Sequence, residues 1–572
     1  MSTYHMKYFQ GEPLRHVGDV PTMGAERYRD KLAFEYRGTE RSYADLEARA
    51  NRVANVLVDE GVEPGDRVAL YLENSLQFPE TFFGVIKAGA VAVPLNHRMD
   101  LDRLEYILGD ADARALVGSA VFPSVVADLS EHVPTTFFPG GGDGYEDYDA
   151  LVDAASDEFD TRERAFDDVA LQPYTSGTTG DPKGVLTTHQ NLLSTAQSYQ
   201  SRSGTDPEQD IALLVLPLFH MYGLSTVMLT QLYGGGSIIL KTLPVPSALL
   251  QAITDHEVTQ FAGIPAIFIQ MLGEYESNPE AYDLSSIETL GSGAAPLADD
   301  TRRRIEQVFD CQLTEGWGMT ETSPAGTTDS VYGPSKAAGC IGQPLPDVEL
   351  RLVDPHTREV RVSEHDLDPT SPATLDHLDF EDDEAVTGEI AVRGPNVFAG
   401  YYGLPEKNAE VFDREPQSGS EGSSGEGSEP RGEDEWFYTD DIARVDEDRY
   451  LWMVDRADDM MIVGGENVYP AEVEDALFEH EHVQAAAVVA APHEVKGEAP
   501  VAYVVLEPDA PEVTERELRE FALRHVASYA HPRRIFFVDE LPRSGTQKVQ
   551  RYKLEADVKT RLDGPLESSE TL

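Results

Sequence analysis

The chain has 572 residues, with 45 Lys+Arg against 103 Asp+Glu and a formal net charge of −58. A hydrophobic content of 41% is enough for large cores, so global disorder is excluded, and at ~150 residues per unit the length allows roughly three to four folding units. Only 11 of the 45 basic residues are lysine, and the acid is spread along the whole chain rather than gathered in a tail. Such a charge repels itself in dilute buffer. At ~1 M salt the Debye length falls to ~3 Å and most of that repulsion is screened. The composition therefore resembles that of proteins from salt-accumulating organisms, and it disfavours nucleic acid, whose phosphates need a basic face.

In chain order, Ser42 is placed to cap a helix with Leu46, Ala50, Val53 and Leu57 on one face and Gly61 at its end. Residues 67–72 read as a buried strand, 76–88 as a helix, 90–94 as a strand, 103–111 as a helix and 115–117 as a short strand. Strands spaced by helices of this length predict an α/β fold with a parallel, doubly wound sheet. The rhythm returns between about Ile211 and Leu290. Two stretches read as insertions: 363–387, with nine acidic residues, as a solvated excursion, and 414–435, REPQSGSEGSSGEGSEPRGEDE, as a surface loop with no aliphatic or aromatic side chain. After Arg456 the pattern becomes α+β: helix 470–478, strands 485–490 and 501–506, helix 515–526 and strand 535–538, with a domain boundary expected near Asp455 to Asp458.

No run approaches the ~20 apolar residues that cross a bilayer, and MSTYHMKYFQ at the N-terminus carries no apolar signal region, so a cytoplasmic protein is expected. Cys311 and Cys340 are too few for a disulfide framework or a zinc cage.

The sharpest local feature is Tyr174-Thr-Ser-Gly-Thr-Thr-Gly-Asp-Pro-Lys183-Gly184. Glycines let backbone N–H groups approach a phosphate, hydroxyls donate to its oxygens and lysine neutralises it. It is not the ordinary P-loop, because glycine rather than Ser or Thr follows Lys183. Taken alone, it would also fit a flexible Ser/Thr/Gly turn.

The string TSGTTGDPKG resembles the phosphate loop of the adenylate-forming (AMP-binding) superfamily, which comprises acyl-CoA synthetases, adenylation domains of peptide synthetases and beetle luciferases. Six further segments resemble that family's motifs, in its order. They are Gly291-Ser-Gly-Ala-Ala-Pro-Leu297, Glu315-Gly-Trp-Gly-Met-Thr-Glu321, Tyr438-Thr-Asp-Asp441, Asp455-Arg-Ala-Asp-Asp459, Gly464-Gly-Glu-Asn-Val-Tyr-Pro-Ala-Glu-Val-Glu474 and Pro542-Arg-Ser-Gly-Thr-Gln-Lys548. The resemblance runs from about Phe34 to Leu554. It implies an N-terminal domain over 1–455, built of two α/β subdomains and a small β-barrel, and a smaller mobile α+β domain over 456–572.

The same resemblance implies an ATP-dependent, AMP-forming acyl-CoA synthetase of the acid–thiol ligase class, with ATP, Mg²⁺ and CoA. Thr175, Ser176, Gly177, Thr178, Thr179, Gly180 and Lys183 would hold the phosphates. Gly293, Ala294, Ala295, Glu315, Gly316, Trp317 and Gly318 would surround the adenine, although Trp317 could equally fill core. Thr320 would sit beside the α-phosphate, and Glu321 with Thr175 would serve Mg²⁺. Asp441, an acceptor-only group, would take the ribose hydroxyls with Arg456 in support. Lys548 would stabilise charge in adenylation. Asp458 would be the hinge, and Gly464, Gly465 and Glu466 would face CoA, unless the two glycines are only a tight turn. His220, in Pro217-Leu-Phe-His-Met-Tyr-Gly223, matches a histidine at the acyl-pocket entrance, or else is a structural histidine. Its apolar neighbours Leu218, Phe219, Met221, Leu224 and Val227, with no basic residue among them, favour a fatty or aryl monoacid.

Two positions depart from the family pattern: Asp440 and Gln547 stand where it has glycine. The rival readings are an enzyme that loads an acyl group onto a carrier-protein thiol, with the carrier on a separate partner since none follows Leu554, and a non-catalytic nucleotide-binding scaffold. The presence of Lys548 and Glu321 argues against the scaffold.

Overall fold

A computed structural model describes residues 14–141, 145–175, 182–203, 209–293, 297, 299–329, 336, 337, 339–412, 435–456, 459–463, 466–493, 497–508, 510, 511, 513–527, 530–543, 549–562 and 566. The first long helix, Tyr43–Asp59, starts where its sequence demands. The Ser42 hydroxyl accepts the Asp45 N–H at 3.1 Å, and the Asp45 carboxylate accepts the Ser42 N–H at 2.9 Å. Leu46, Ala50, Val53 and Leu57 are all buried, and Gly61 follows the C-terminus at φ 81°. Helix Gln77–Lys87 lies against this helix at Gly84, where a Cβ would come within 2.5 Å of the Val53 side chain, so glycine permits the close approach.

Two α/β layers follow. In the first sheet, strands Val169–Leu171, Val91–Pro94, Arg67–Tyr71, Ala113–Gly118, Thr135–Phe138 and Glu146–Asp147 run parallel in that order. Lys183–Thr188 joins its edge antiparallel and carries Gly400–Tyr401 outside it. The second sheet places Leu313–Trp317, Thr289–Ser292, Gln260–Gly263, Ile211–Leu214, Ser237–Leu240 and Leu32–Tyr36 side by side, all parallel. Its strand order reverses between Ile211–Leu214 and Gln260–Gly263, the kind of switch point where open α/β sheets bind ligands.

Antiparallel strands Thr327–Thr328, Cys340–Pro344, Leu451–Arg456, Phe437–Val445, Thr387–Arg393, Glu349–Val353 and Val360–Val362 extend from the second sheet around an apolar core of their own that includes Leu350, Val392, Phe398 and Leu451. A separate sheet holds Met461–Val463, Glu466–Val468, Val483–His493, Gly497–Leu506 and Arg534–Phe537. Helices Pro470–Phe478 and Glu515–Ala522 cover one side of it and Arg551–Arg561 the other.

The expected elements form, mostly with ends shifted by one or two residues. The largest shifts are in 515–526, whose helix stops at Ala522, in 501–506, whose strand already starts at Gly497, and in 485–490, which is part of a longer strand, Val483–His493. Segment 363–387 is not simply a solvated excursion. It contains helices Glu364–Leu367 and Asp383–Val386, buries Leu367 and Val386, and is tied down by the Arg449 guanidinium, which donates to the carbonyls of His365, Asp366 and Asp368. Of the expected loop 414–435, only Glu435 is among the described residues.

Candidate active site

Strands Tyr174–Thr175 and Lys183–Thr188 pair antiparallel with Thr175 directly opposite Lys183, so the glycine-rich segment joins the two strands of a hairpin. A Cβ at Gly184 would lie 2.8 Å from Gln172 Nε2 and 3.1 Å from the Tyr174 ring, so a side chain there would have to displace them. The Lys183 ammonium sits 5.0 Å from the centre of the Tyr401 ring. The Tyr401 hydroxyl in turn donates to Glu321 Oε1 at 2.9 Å. Burial pushes the Glu321 carboxyl pKa up, while the Tyr401 hydroxyl, Lys183 and Arg456 pull it down. Asn408 fixes Tyr401 by accepting its N–H at 2.7 Å and donating to its carbonyl at 2.9 Å. Sequence reading missed Tyr401. Its place follows from the pairing of Gly400–Tyr401 with Lys183–Thr188, a contact between distant segments.

Asp441 and Arg456 are cross-strand partners in strands Phe437–Val445 and Leu451–Arg456. Arg456 Nε lies 3.3 Å from Asp441 Oδ1, and Trp317 Nε1 donates to Oδ2 at 2.8 Å. Trp317 also covers Gly326, where a Cβ would lie 2.4 Å from its ring, so it has both a packing and a site contact. Asp440 has φ 61°, a left-handed conformation that favours glycine and that aspartate is among the few other residues to tolerate. Its N–H donates to Glu389 Oε1 at 2.9 Å. Burial pushes the Glu389 pKa up to about 7. The Asp440 N–H opposes this rise, the Asp440 charge adds to it, Arg358 opposes it and Asp441 adds to it.

A cavity of about 230 Å³ opens along the second sheet. Gly293, Trp317 and Gly318 line it at the strand C-termini, and Gln260, Thr289 and Thr314 line it near the strand starts. Gly316 and Gly318 are there for backbone packing: a Cβ would meet Thr327 O at 2.7 Å or Pro324 O at 2.2 Å. Glu315 faces the buried Arg302, 3.2 Å away, which also lies 3.3 Å from Asp329 and donates to Leu313 O at 2.8 Å. Burial lifts the Glu315 pKa to about 7. No sequence motif marked Arg302.

His220 precedes the π-helix Tyr222–Leu229, and burial pushes its imidazole pKa down to about 4, so it is neutral near pH 7. Tyr222 lines the cavity and His220 does not. The cavity is also less apolar than the neighbours of His220 implied, because Arg202, from helix His189–Ser203, lines it. Thr320 opens the 3₁₀ turn Thr320–Thr322, and Glu466 opens strand Glu466–Val468. Ser176, Gly177, Thr178, Thr179, Gly180, Ala294, Ala295, Asp458, Gly464, Gly465 and Lys548 lie outside the described residues. Among the described residues no group of three or more His, Cys, Asp or Glu could hold a metal ion, and no helix is long and apolar enough to cross a membrane.

An open α/β sheet with a cavity at its switch point, a lysine hairpin and a carboxylate held from two sides are the parts of an α/β protein with a ligand site. The AMP-binding enzyme family matches residues 22–402, and the AMP-binding enzyme C-terminal domain matches residues 472–548. The chain belongs to the AMP-binding enzyme family, in its acyl-CoA synthetase branch. It is 34% identical to a feruloyl-CoA synthase from Amycolatopsis sp, over 96% of this chain and 99% of that protein. It is 30% identical to a long-chain-fatty-acid–CoA ligase from Bacillus subtilis (strain 168), over 95% of this chain and 94% of that one. Among solved structures, ATP-bound MatB from Rhodopseudomonas palustris superposes with a TM-score of 0.80 at 30% identity, covering 95% of this chain and 99% of that one. An anthranilate CoA ligase in complex with anthranoyl-AMP gives 0.80 at 26% identity, covering 98% and 99%.

Proposed function

We propose that the chain is an ATP-dependent, AMP-forming acyl-CoA synthetase acting on a fatty or aryl acid, and that the expected site residues act as follows. The observation that carries this reading is the pair of anchored groups Lys183–Tyr401–Glu321 and Trp317–Asp441–Arg456, the second of which reaches the cavity through Trp317. The carboxylate of the acid, held at the mouth of the cavity, attacks the α-phosphorus of ATP, and pyrophosphate leaves. Thr175, Lys183 and the hydroxyls and glycines between them bind the departing phosphates, because phosphoryl-type chemistry needs positioning and charge neutralisation above all. Asp441 keeps acceptor capacity for the ribose hydroxyls beyond its two present contacts. Trp317 and Gly293 flank the base, Thr320 lies by the α-phosphate, and neutral His220 guards the acyl entrance. Lys548 stabilises the charge that builds up at the α-phosphate.

Glu321 offers a buried hard oxygen, with one oxygen already oriented by Tyr401, which fits Mg²⁺ shared with substrate phosphates and waters. Mg²⁺ bound there would neutralise phosphate charge. In the second half-reaction the domain 456–572 turns about Asp458 relative to 1–455. Gly464, Gly465 and Glu466 then line the thiol path, and the thiol sulfur attacks the acyl carbon and releases AMP. The reading includes a cytoplasmic, salt-adapted enzyme of fatty acid and lipid metabolism.

The test is pyrophosphate release over a panel of carboxylic acids in ~2 M KCl, with and without CoA. Acid-dependent release followed by CoA thioester supports the assignment. Acyl adenylate that reacts only with a carrier-protein thiol would replace CoA as acceptor, and no release with any acid would leave a nucleotide-binding scaffold.

A further inference from the structure

Thr320 and Glu321, the residues proposed above for the α-phosphate and Mg²⁺, sit in a short turn that is held from outside. The 3₁₀ turn Thr320–Thr322 ends at Ser323, which has φ 62° and ψ 38°. A β-carbon disfavours that left-handed region, and Pro324, next in the chain, pushes the residue before it toward extended backbone. Such a conformation persists only where its surroundings over-determine it. Here four successive carbonyls each accept from a side chain of a distant segment. Asn396 Nδ2 donates to Thr322 O at 3.2 Å and also to Ala325 O, Ser225 Oγ donates to Ser323 O at 2.9 Å, and the Tyr199 hydroxyl donates to Pro324 O at 3.3 Å. The Phe398 N–H fixes Glu321 itself by donating to its carbonyl at 2.9 Å.

Two of these donors come from elements that wall the cavity. Tyr199 lines it from helix His189–Ser203. Ser225 lies in the π-helix Tyr222–Leu229, whose Tyr222, Thr226 and Val227 line it. Thr230, a further lining residue, donates its hydroxyl to Ser225 O at 3.1 Å. Ser225 is itself fully buried and does not line the cavity, so its hydroxyl serves the turn and not a substrate. Among the described residues no other donor reaches Ser323 O, and Ser323 is as fully buried as Ser225, so without that bond the carbonyl is left unpaired in the interior. We infer that Ser225 is a positioning residue: its hydroxyl ties the wall of the cavity to Ser323 and so fixes the turn that carries Thr320 and Glu321. This rests on the synthetase reading above and adds to it a residue that acts only through the turn.

The experiment measures pyrophosphate release over acid and ATP concentration, with the acid that the panel above selects, in wild type, Ser225→Ala, Ser225→Cys, Thr320→Ala and the double variant Ser225→Ala with Thr320→Ala. Thioester formation from synthetic acyl adenylate and CoA is measured alongside, as is ATP affinity by calorimetry with and without Mg²⁺. A small misplacement of reacting groups costs up to ~10² in rate, so Ser225→Ala should lower kcat for adenylation about ten- to hundredfold. The KM values for acid and ATP should stay within about threefold, the pattern of an interaction that matters in the transition state, and so should thioester formation. In a chain that already carries Thr320→Ala, the same change should cost about threefold or less, whereas an independent packing defect would add in full. Ser225→Cys keeps a weaker donor of similar size and should recover part of kcat, which gives a second reading should the alanine variant not fold. A wild-type kcat in Ser225→Ala, a loss shared by the KM values and both half-reactions, or full additivity with Thr320→Ala overturns the inference. No pyrophosphate release from any acid by the wild type overturns the enzymatic reading instead. The gain in ATP affinity on adding Mg²⁺ then decides: its loss in Ser225→Ala upholds the link to the turn, and its retention overturns it.

Discussion

Trp317 Nε1 donates to Asp441 Oδ2 at 2.8 Å across a separation of 124 residues, joining the end of a parallel α/β strand to the antiparallel strand Phe437–Val445. The indole therefore sets the carboxylate's orientation from one side while Arg456 holds it from the other. A hydrogen bond to a charged group is worth about 1.5–3 kcal/mol. Trp317→Phe keeps the ring over Gly326 but removes the donor. It should raise the KM for ATP about tenfold, with a smaller change in kcat and little loss in thermal midpoint. Steady-state kinetics over ATP concentration, with a melt of the same variant, checks this. An unchanged KM would mean that Arg456 alone orients Asp441.

The features that the sequence makes legible are local ones. The hydroxyl–glycine–lysine segment, the Ser42 cap and the α/β rhythm each depend on residues close in the chain. What was not legible depends on segments that meet only in the folded molecule. Strand Leu32–Tyr36 pairs with Ser237–Leu240 of the second sheet although it precedes the first in sequence. Tyr401 reaches Glu321 through a strand pairing with Lys183–Thr188, and Arg302 gathers Glu315 and Asp329 in the interior. Arg202 escaped notice because the wall of a cavity is drawn from distant helices and strands, whereas a search around His220 sees only sequence neighbours.

Glu389 gives the fold a pH dependence of definite sign. Its carboxyl pKa in the folded state is about 7, above the ordinary 4.5, so the folded chain binds its proton more tightly than the unfolded chain does. The stabilisation is fully present below about pH 4.5 and is lost as the pH rises through 7. Glu389→Gln keeps an acceptor for the Asp440 N–H and removes the titration. The thermal midpoint of the wild type should fall between pH 5.5 and 8, and that of the variant should fall less. Glu315, raised to about 7 in the same way, leaves a residual slope. Parallel slopes for the two proteins would assign the effect elsewhere.

Tyr401 links the lysine hairpin to Glu321, and Tyr401→Phe retains the ring beneath Lys183 while removing the hydroxyl. The Mg²⁺ concentration for half-maximal adenylation should rise several-fold, by an amount comparable to ~1 kcal/mol for a lost hydrogen bond. Titration of Mg²⁺ at saturating ATP reads this directly. A fall in rate with no change in Mg²⁺ requirement would confine Tyr401 to packing.

The net charge of −58 predicts that folding depends on salt. Repulsion among so many carboxylates is screened at molar ionic strength and not in dilute buffer. The thermal midpoint should climb steeply as KCl rises from ~0.1 to ~2 M, and activity should follow. A midpoint independent of KCl would sink the salt-adapted reading.

The role proposed for Lys548 predicts different outcomes for the two half-reactions. Its proposed place is the adenylating arrangement only, where its ammonium meets the negative charge that develops about the α-phosphate. A single well-placed donor of this kind is worth ~10²–10³ in rate. Lys548→Ala should therefore slow ATP-dependent adenylation by about that factor. The same variant should still convert synthetic acyl adenylate and CoA to acyl-CoA, because the proposed rotation about Asp458 would carry the lysine away from the adenylate. ATP affinity should weaken only modestly, since Lys183 and the Trp317–Asp441–Arg456 trio remain. Measuring the two half-reactions separately distinguishes the outcomes. Wild-type adenylation would make Lys548 a solvated lysine, and equal loss of both half-reactions would point to structural damage and remove the support for domain alternation.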